Sequence, residues 1–355
     1  MKIKILLIFL VSLILTSGVF AQEEVKFTKG TFSEILTAAK SENKIIMADF
    51  FTDWCVWCVE LDNKVYHNQK AAEYMNEHQI NWKTDAEKGE GIDLAAQYKV
   101  NGYPTIIFLD NDGNEIDRIV GYFPAESFLK HVIDINERIN LTSDLIKEYN
   151  ANPDGLDANY KLGMKYFDSG DMENAEKNIS FVLTHADKNS DMYTECLLKN
   201  AAGKGDTKTL ESYVNGNPDG KFVKDAELSL AELIYGKDKN FDGAEKIYQS
   251  MLTKYPSDED VSFAYAQFIR GKIFTITGDS TVSVDNRIST AEKLLSDNSK
   301  YLQGSILEAS ISARLSNLYL KSGNKEKALD KINRSLTIFD SKSYRDLKDK
   351  ILNSN

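Results

Sequence analysis

Two cysteines stand two residues apart in Asp49-Phe50-Phe51-Thr52-Asp53-Trp54-Cys55-Val56-Trp57-Cys58. Lys44 to Phe51 is a short apolar run bounded by polar residues, the pattern of a buried strand. Helical spacing begins at Cys55, so the pair opens a helix. Cysteines placed this way can close a small disulfide. The Cys55 thiol lies at the positive end of the helix dipole, where its thiolate is favoured. Cys58 follows about one turn later and is expected to be less exposed. The spacing therefore separates an attacking thiol from a resolving thiol. Zinc is the main competing chemistry, but a structural site needs four ligands. Only Cys196 and His67, His78, His131 and His185 remain, none in a second paired motif. No metal or cofactor is expected. There is no Gly-x-Ser-x-Gly elbow for a serine nucleophile and no glycine-rich phosphate loop. Cys196, beside two leucines in a helical stretch, reads as a buried, inert thiol. Asp53 and Glu60 read as solvated surface acids.

The elements around the pair have a consistent order. Thr31 to Ser41 is helical in spacing. Helical segments follow at Cys55 to Lys64 and Asn68 to Glu77, then a strand at Ile80 to Thr84 and a helix at Gly91 to Tyr98. Strands Thr105 to Asp110 and Glu115 to Val120 flank Asn111-Asp112-Gly113-Asn114, a hairpin with Gly and Asn where positive φ is needed. Pro124 to Arg138 closes the region as a helix. Strands alternating with helices predict a compact α/β domain. Gly102-Tyr103-Pro104-Thr105 precedes the third strand. Proline at a strand start forfeits no interior ladder bond, and X-Pro is the common route to a cis peptide.

Motif, order and spacing together resemble the thioredoxin superfamily over about residues 24–140. The residues that carry the resemblance are Trp54-Cys55-x2-Cys58 after a strand, Asp49 six residues before the first cysteine, and Tyr-Pro-Thr before the hairpin. The segment looks most like secreted thioredoxin-like disulfide reductases. One departure is Val56-Trp57, where thioredoxin itself has Gly-Pro. The resemblance implies Cys55 as nucleophile, Cys58 as resolving thiol and Asp49 as the buried acid that deprotonates it. It implies a substrate site at Trp54, Trp57, Tyr103, Pro104 and Thr105, with Pro104 as the cis-proline. It also implies protein disulfides as substrates and an electron donor that the sequence does not identify.

After Leu141 no strong strand signal remains. Helical stretches are separated by Gly, Asn and Asp turns. Leu162-Gly163-x2-Tyr166 precedes Ala175, Tyr235 precedes Ala244, and Tyr319 precedes Ala328, nine positions in each case. This self-similarity resembles the tetratricopeptide repeat in degenerate form. Stretches around Leu197 to Val214 and Phe263 to Leu295 are expected to complete a short solenoid. The expected organisation is a signal peptide (1–21), a thioredoxin-like α/β domain (22–140) and an all-α tetratricopeptide-like domain (141–355).

Lys2 and Lys4, the apolar run Ile5 to Leu15 and Val19-Phe20-Ala21 form a secretory signal pattern. The expectation is a secreted, periplasmic protein with no membrane insertion after cleavage. Its 355 residues carry 42% hydrophobic and 27% charged residues and a net charge of −11, which excludes a disordered chain and disfavours nucleic acid as a partner. The reading is a thiol–disulfide oxidoreductase whose repeats dock a substrate or partner protein. The alternative is a non-catalytic binding or chaperone module that keeps the thioredoxin fold.

Overall fold

The computed structural model describes residues 23–354. The predicted signal peptide lies outside the described residues. The α/β part runs α1 (Phe32–Glu42), β1 (Ile45–Phe51), α2 (Val56–Leu61), a π-helical turn (Asp62–Tyr66), α3 (Gln69–His78), β2 (Gln79–Asp85), α4 (Gly91–Gln97), β3 (Thr105–Leu109), β4 (Glu115–Val120) and α5 (Ala125–Asn136). The sheet order is β2-β1-β3-β4; β1 is parallel to β2 and antiparallel to β3, and β3–β4 is the antiparallel hairpin.

Strand alternation sends successive side chains to opposite faces. In β1, Ile46, Ala48 and Phe50 join Ile35 and Ala39 of α1 and Leu94 and Ala95 of α4. Met47 points the other way, into the layer of Leu61, Met75, Phe128 and Val132. Asp49 shares the parity of Met47. The strand period alone thus turns its carboxyl towards the layer that holds α2.

The hairpin corrects one expectation. Gly113 takes φ +89, but no positive φ occurs at Asn114. Asn114 instead donates from its backbone and side-chain amides to the Asp110 carboxylate at 2.8 and 2.9 Å. The aspartate closes the turn that a second left-handed residue would otherwise have made.

The remaining elements are all helices: α6 (Thr142–Ala151), α7 (Leu156–Asp168), α8 (Met172–His185), α9 (Asp191–Lys204), α10 (Thr207–Gly216), α11 (Val223–Gly236), α12 (Phe241–Lys254), α13 (Glu259–Gly278), α14 (Val284–Asp297), α15 (Ser299–Leu302), α16 (Ile306–Lys321), α17 (Lys325–Ile338) and α18 (Lys342–Leu352). They form an all-α helical-repeat region built from hairpins. One turn recurs. A left-handed residue at Gly170, Gly205, Lys239 or Gly323 is followed by Asp171, Asp206, Asn240 or Asn324. Each of these acids or amides caps the next helix with its side chain. Ala175, Ala244 and Ala328 are all buried.

In the first hairpin a Cβ at Gly163 would stand 3.0 Å from Ile179 Cγ1 and 3.3 Å from its backbone nitrogen. Gly163→Val is therefore expected to destabilise the protein by about 1–3 kcal/mol through overpacking, read by urea denaturation.

Candidate active site

Cys55 occupies the N-cap of α2, and the Cys58 backbone N–H donates to its Sγ at 3.0 Å. The helix start thus places one amide and the positive dipole end on this sulfur, an arrangement that favours its thiolate once the pair is reduced. Cys55 and Cys58 are joined in a disulfide with Cα atoms 5.3 Å apart. Both cysteines are 3% exposed, so the expected difference in exposure is absent. Position on the helix does not decide exposure here, and α2 is also covered by the helical half. Val56, Trp57 and Val59 pack against Ile306, Ala309 and Phe339 of the helical half.

Asp49 is fully buried, and neither of its carboxylate oxygens accepts a hydrogen bond. Parallel pairing sets it opposite Lys83 of β2. The Lys83 ammonium lies 3.4 Å from Asp49 Oδ2 and 2.5 Å from Asp62 Oδ1. The same ammonium sits over the rings of Phe27, Phe51 and Tyr66, at 5.0–5.4 Å from their centroids. Burial raises the Asp49 pKa to about 6, against the opposing pull of Lys83. The buried Tyr66 phenol is held well above its usual range, by burial first and then by Asp49. The π-helical turn carries both Asp62 and Tyr66. An acid poised near neutrality therefore lies on the face of β1 that packs against α2, the helix the cystine opens, able to hold or accept one proton.

The Tyr103–Pro104 peptide is cis. Trp54 is 62% exposed, meets Tyr103 edge-on at 5.8 Å and donates its indole N–H to Glu87 at 3.0 Å. Thr105 is buried in β3, where its hydroxyl donates to Gly102 O at 2.8 Å. Its side chain is thus committed internally, and only backbone groups near it could meet a ligand. Trp57, between the cysteines, stacks on Tyr122 at 5.7 Å and meets Phe263 of α13 edge-on at 5.9 Å. Asp53 is exposed and pairs with Lys88 at 2.5 Å.

Glu60 overturns its expectation as a solvated acid. It is 6% exposed, and its Oε2 accepts the Ile306 N–H at the start of α16 at 3.0 Å. Burial raises its pKa. A carboxylate against a helix N-terminus replaces lost hydration with an orphan amide and the helix dipole. The signal was present in the sequence: Val56 to Leu61 has one charged residue and no polar face, unlike a surface helix. Glu60→Ala is expected to lower stability by about 1–3 kcal/mol, while Glu60→Gln, which keeps an acceptor, loses less. Paired thermal and urea unfolding would read the difference.

Sequence reasoning also passed over Lys83, Tyr66, Tyr122 and Phe263. A lysine inside a strand gives no signal until strand register places it beside an acid. The two rings of the Trp57 stack lie far from it in sequence.

Residues 32–136 match the family model of the thioredoxin-like domain. These residues are a thioredoxin-like domain. It is similar to the thiol:disulfide interchange protein DsbD of Yersinia pestis (strain Pestoides F), 33% identical over 97 residues, which cover 26% of this chain and 16% of that protein. It is also similar to the disulfide bond reductase DsbH of Chlamydia pneumoniae, 29% identical over 106 residues, covering 27% of this chain and 63% of that protein. The chain thus spans only 16% of the length of the DsbD relative. Over the helical half it is similar to a solved tetratricopeptide repeat protein from Parabacteroides merdae, at 12% identity and a TM-score of 0.36, covering 64% of this chain and 82% of that one. Within the thioredoxin-like domain, the cystine, Asp49 and the cis Tyr103–Pro104 peptide come from three separate segments: the α2 start, β1 and the β3 approach.

Proposed function

We propose that this protein is a thiol–disulfide oxidoreductase that reduces disulfides of protein substrates outside the cytosol. The observation that carries the reading is the Cys55–Cys58 cystine at the N-terminus of α2, the helix that packs on the face of β1 holding the buried acid Asp49. In the reduced protein the Cys55 thiolate attacks one sulfur of a substrate disulfide. A Cys55–substrate disulfide forms, and the first substrate sulfur leaves as a thiolate that takes up a proton. Asp49 accepts the proton of Cys58, and the Cys58 thiolate attacks Cys55 Sγ. The second substrate sulfur leaves as a thiolate, the proton held by Asp49 passes to it through solvent, the Cys55–Cys58 bond closes, and two electrons have passed to the substrate. A dithiol donor then restores the pair.

Trp54, Trp57, Tyr103 and Pro104 border the exchange site, together with the backbone at Thr105. Reduction, rather than oxidation, is supported by the printed activity of the DsbH relative. A periplasmic location is supported by the signal pattern at the N-terminus. Among the described residues no helix is long and apolar enough to cross a membrane. The chain divides into a signal peptide at residues 1–21, a thioredoxin-like domain at 22–140 and a helical-repeat domain at 141–355 whose repeats dock protein substrates.

The test is the reduction potential of the Cys55–Cys58 pair, from equilibration in graded thiol–disulfide buffers and counting of alkylated thiols. A value near about −270 mV supports a reductase recharged by a donor. A value near about −120 mV makes it an oxidant, and a pair that never exchanges returns the chain to a binding module.

A further inference from the structure

The two halves meet around a space rather than across a flat face. On one side Trp57 stacks with Tyr122, and Tyr122 meets Phe263 of α13 at 5.0 Å. On another, the N-termini of α5 and α13 exchange contacts. Glu259 accepts the Glu126 backbone N–H at 3.0 Å, and Asp260 accepts the Ser127 hydroxyl at 2.7 Å. Beside these contacts lies a cavity of about 490 Å³. It is bounded by the segment after β4 (Tyr122, Phe123) and by α11–α13 (Leu228, Tyr235, Phe263, Ala264). Its volume falls within the roughly 300–1,000 Å³ of ligand-holding clefts.

We infer that this cavity is a polypeptide subsite, which holds a bulky aromatic or aliphatic side chain of the substrate near its disulfide while Cys55 attacks. The inference rests on the oxidoreductase reading and adds where, and by what chemistry, the substrate chain is gripped. Three observations support it. First, one ring joins the cavity to the exchange site. Tyr122 lines it and also stacks on Trp57, the residue between the cysteines. Second, its walls are rich in rings, and aromatic side chains gain both area burial and edge or face contacts from such walls. Third, the charged residues around it nearly balance. Lys130 and Lys224 stand with Asp225, Glu232 and Asp260, while burial lowers the His131 pKa and keeps that ring neutral. Lys224 is paired with Asp258 at 2.8 Å, and Asp260 is held by Ser127. Lys224 and Asp260 are already engaged and no excess of positive charge invites an anion, so shape and apolar surface select the occupant. Both halves of the protein line the cavity, which makes the helical half part of the substrate site and not only a platform.

The test uses the full mature chain and two cyclic peptides closed by one disulfide. One carries phenylalanines beside its cysteines and the other serines at the same places. A small disulfide, hydroxyethyl disulfide, reports the exchange site alone. Point variants are preferred to removal of the helical half, because removal would also uncover Val56, Trp57 and Val59. Leu228→Arg fills the cavity from α11 and touches none of the exchange residues. The expected result is that the parent reduces the phenylalanine peptide with a KM about tenfold below that of the serine peptide. Leu228→Arg abolishes that preference while keeping kcat and hydroxyethyl disulfide turnover within twofold. Ala264→Arg, from the neighbouring helix, gives the same pattern if Leu228→Arg does not fold. Equal KM values for the two peptides in the parent overturn the proposal, as does a preference that survives either arginine. Fluorescence binding of the phenylalanine peptide with both cysteines replaced by serine separates the two readings. Binding by the parent without any disulfide turnover sinks the oxidoreductase reading and leaves the cavity. Hydroxyethyl disulfide turnover without binding does the reverse.

Discussion

Cys55→Ser is expected to remove disulfide reduction almost completely, by about a thousandfold or more, with no comparable loss of structure. Serine keeps the size of the N-cap side chain, and its hydroxyl can accept the Cys58 N–H that now goes to sulfur. What it loses is the nucleophile, since an alkoxide is not formed near neutral pH. Cys58→Ser should behave differently. The Cys55 thiolate still attacks, but nothing resolves the product, and a covalent Cys55–substrate complex accumulates. Intact mass and non-reducing electrophoresis would show an adduct with Cys58→Ser and none with Cys55→Ser. Cys196 should form no adduct in either variant, because it is fully buried and burial pushes its thiol up to about 12. Full turnover by Cys55→Ser would falsify the assignment of the nucleophile.

Asp49→Asn is expected to change both kinetics and stability, in opposite directions. At neutral pH the Asp49 carboxylate, with its pKa raised to about 6, is mostly ionised and can take the Cys58 proton. The asparagine cannot, so resolution of the mixed disulfide should slow by about 10²-fold. In the parent, resolution should fall as pH drops through about 6, because the acid is then protonated. The stability argument has the other sign. The folded pKa lies above the unfolded one of about 3.9, so the folded state binds the proton more tightly. The destabilisation from this group is absent below pH 4, grows between the two pKa values and is complete above about 6. Integrated over about two pH units it amounts to roughly 3 kcal/mol. Asp49→Asn should therefore be more resistant to urea than the parent at pH 8 and nearly equal to it at pH 4. Unchanged resolution kinetics across pH 5–8 would leave Asp49 a structural residue.

The legible features share one property: each is local. The cystine motif, the strand that precedes it, the helix it opens and the hairpin glycine are all set by residues within a few positions of one another. Tyr103-Pro104 is local too, because only proline brings the cis form within about 1 kcal/mol of trans. The helical half was legible through its period and through the Gly-Asp and Gly-Asn turns, where a left-handed residue precedes a side-chain cap. Glu60 was misread because two residues of sequence separate it from Cys58, while 246 separate it from its partner, Ile306. Its desolvation depends on a helix start that no local pattern connects to it.

The sequence by itself therefore determined the cysteine pair at a helix start, the order of strands and helices and the change to repeats, since these follow from residue type and short-range spacing. The resemblance implied Asp49 as a buried acid, but not what surrounds that acid. Only the tertiary structure decided that Lys83 stands across from Asp49, because a parallel register joins residues 34 positions apart. Only the packing of the two halves decided that Trp57 meets Phe263 and that Val56 and Val59 are covered by the helical half. The same packing forms a cleft between the halves, lined by the Tyr122 ring that stacks on Trp57. These are contacts between elements distant in the chain, fixed by the joint burial of apolar surface, and no spacing rule within one element encodes them.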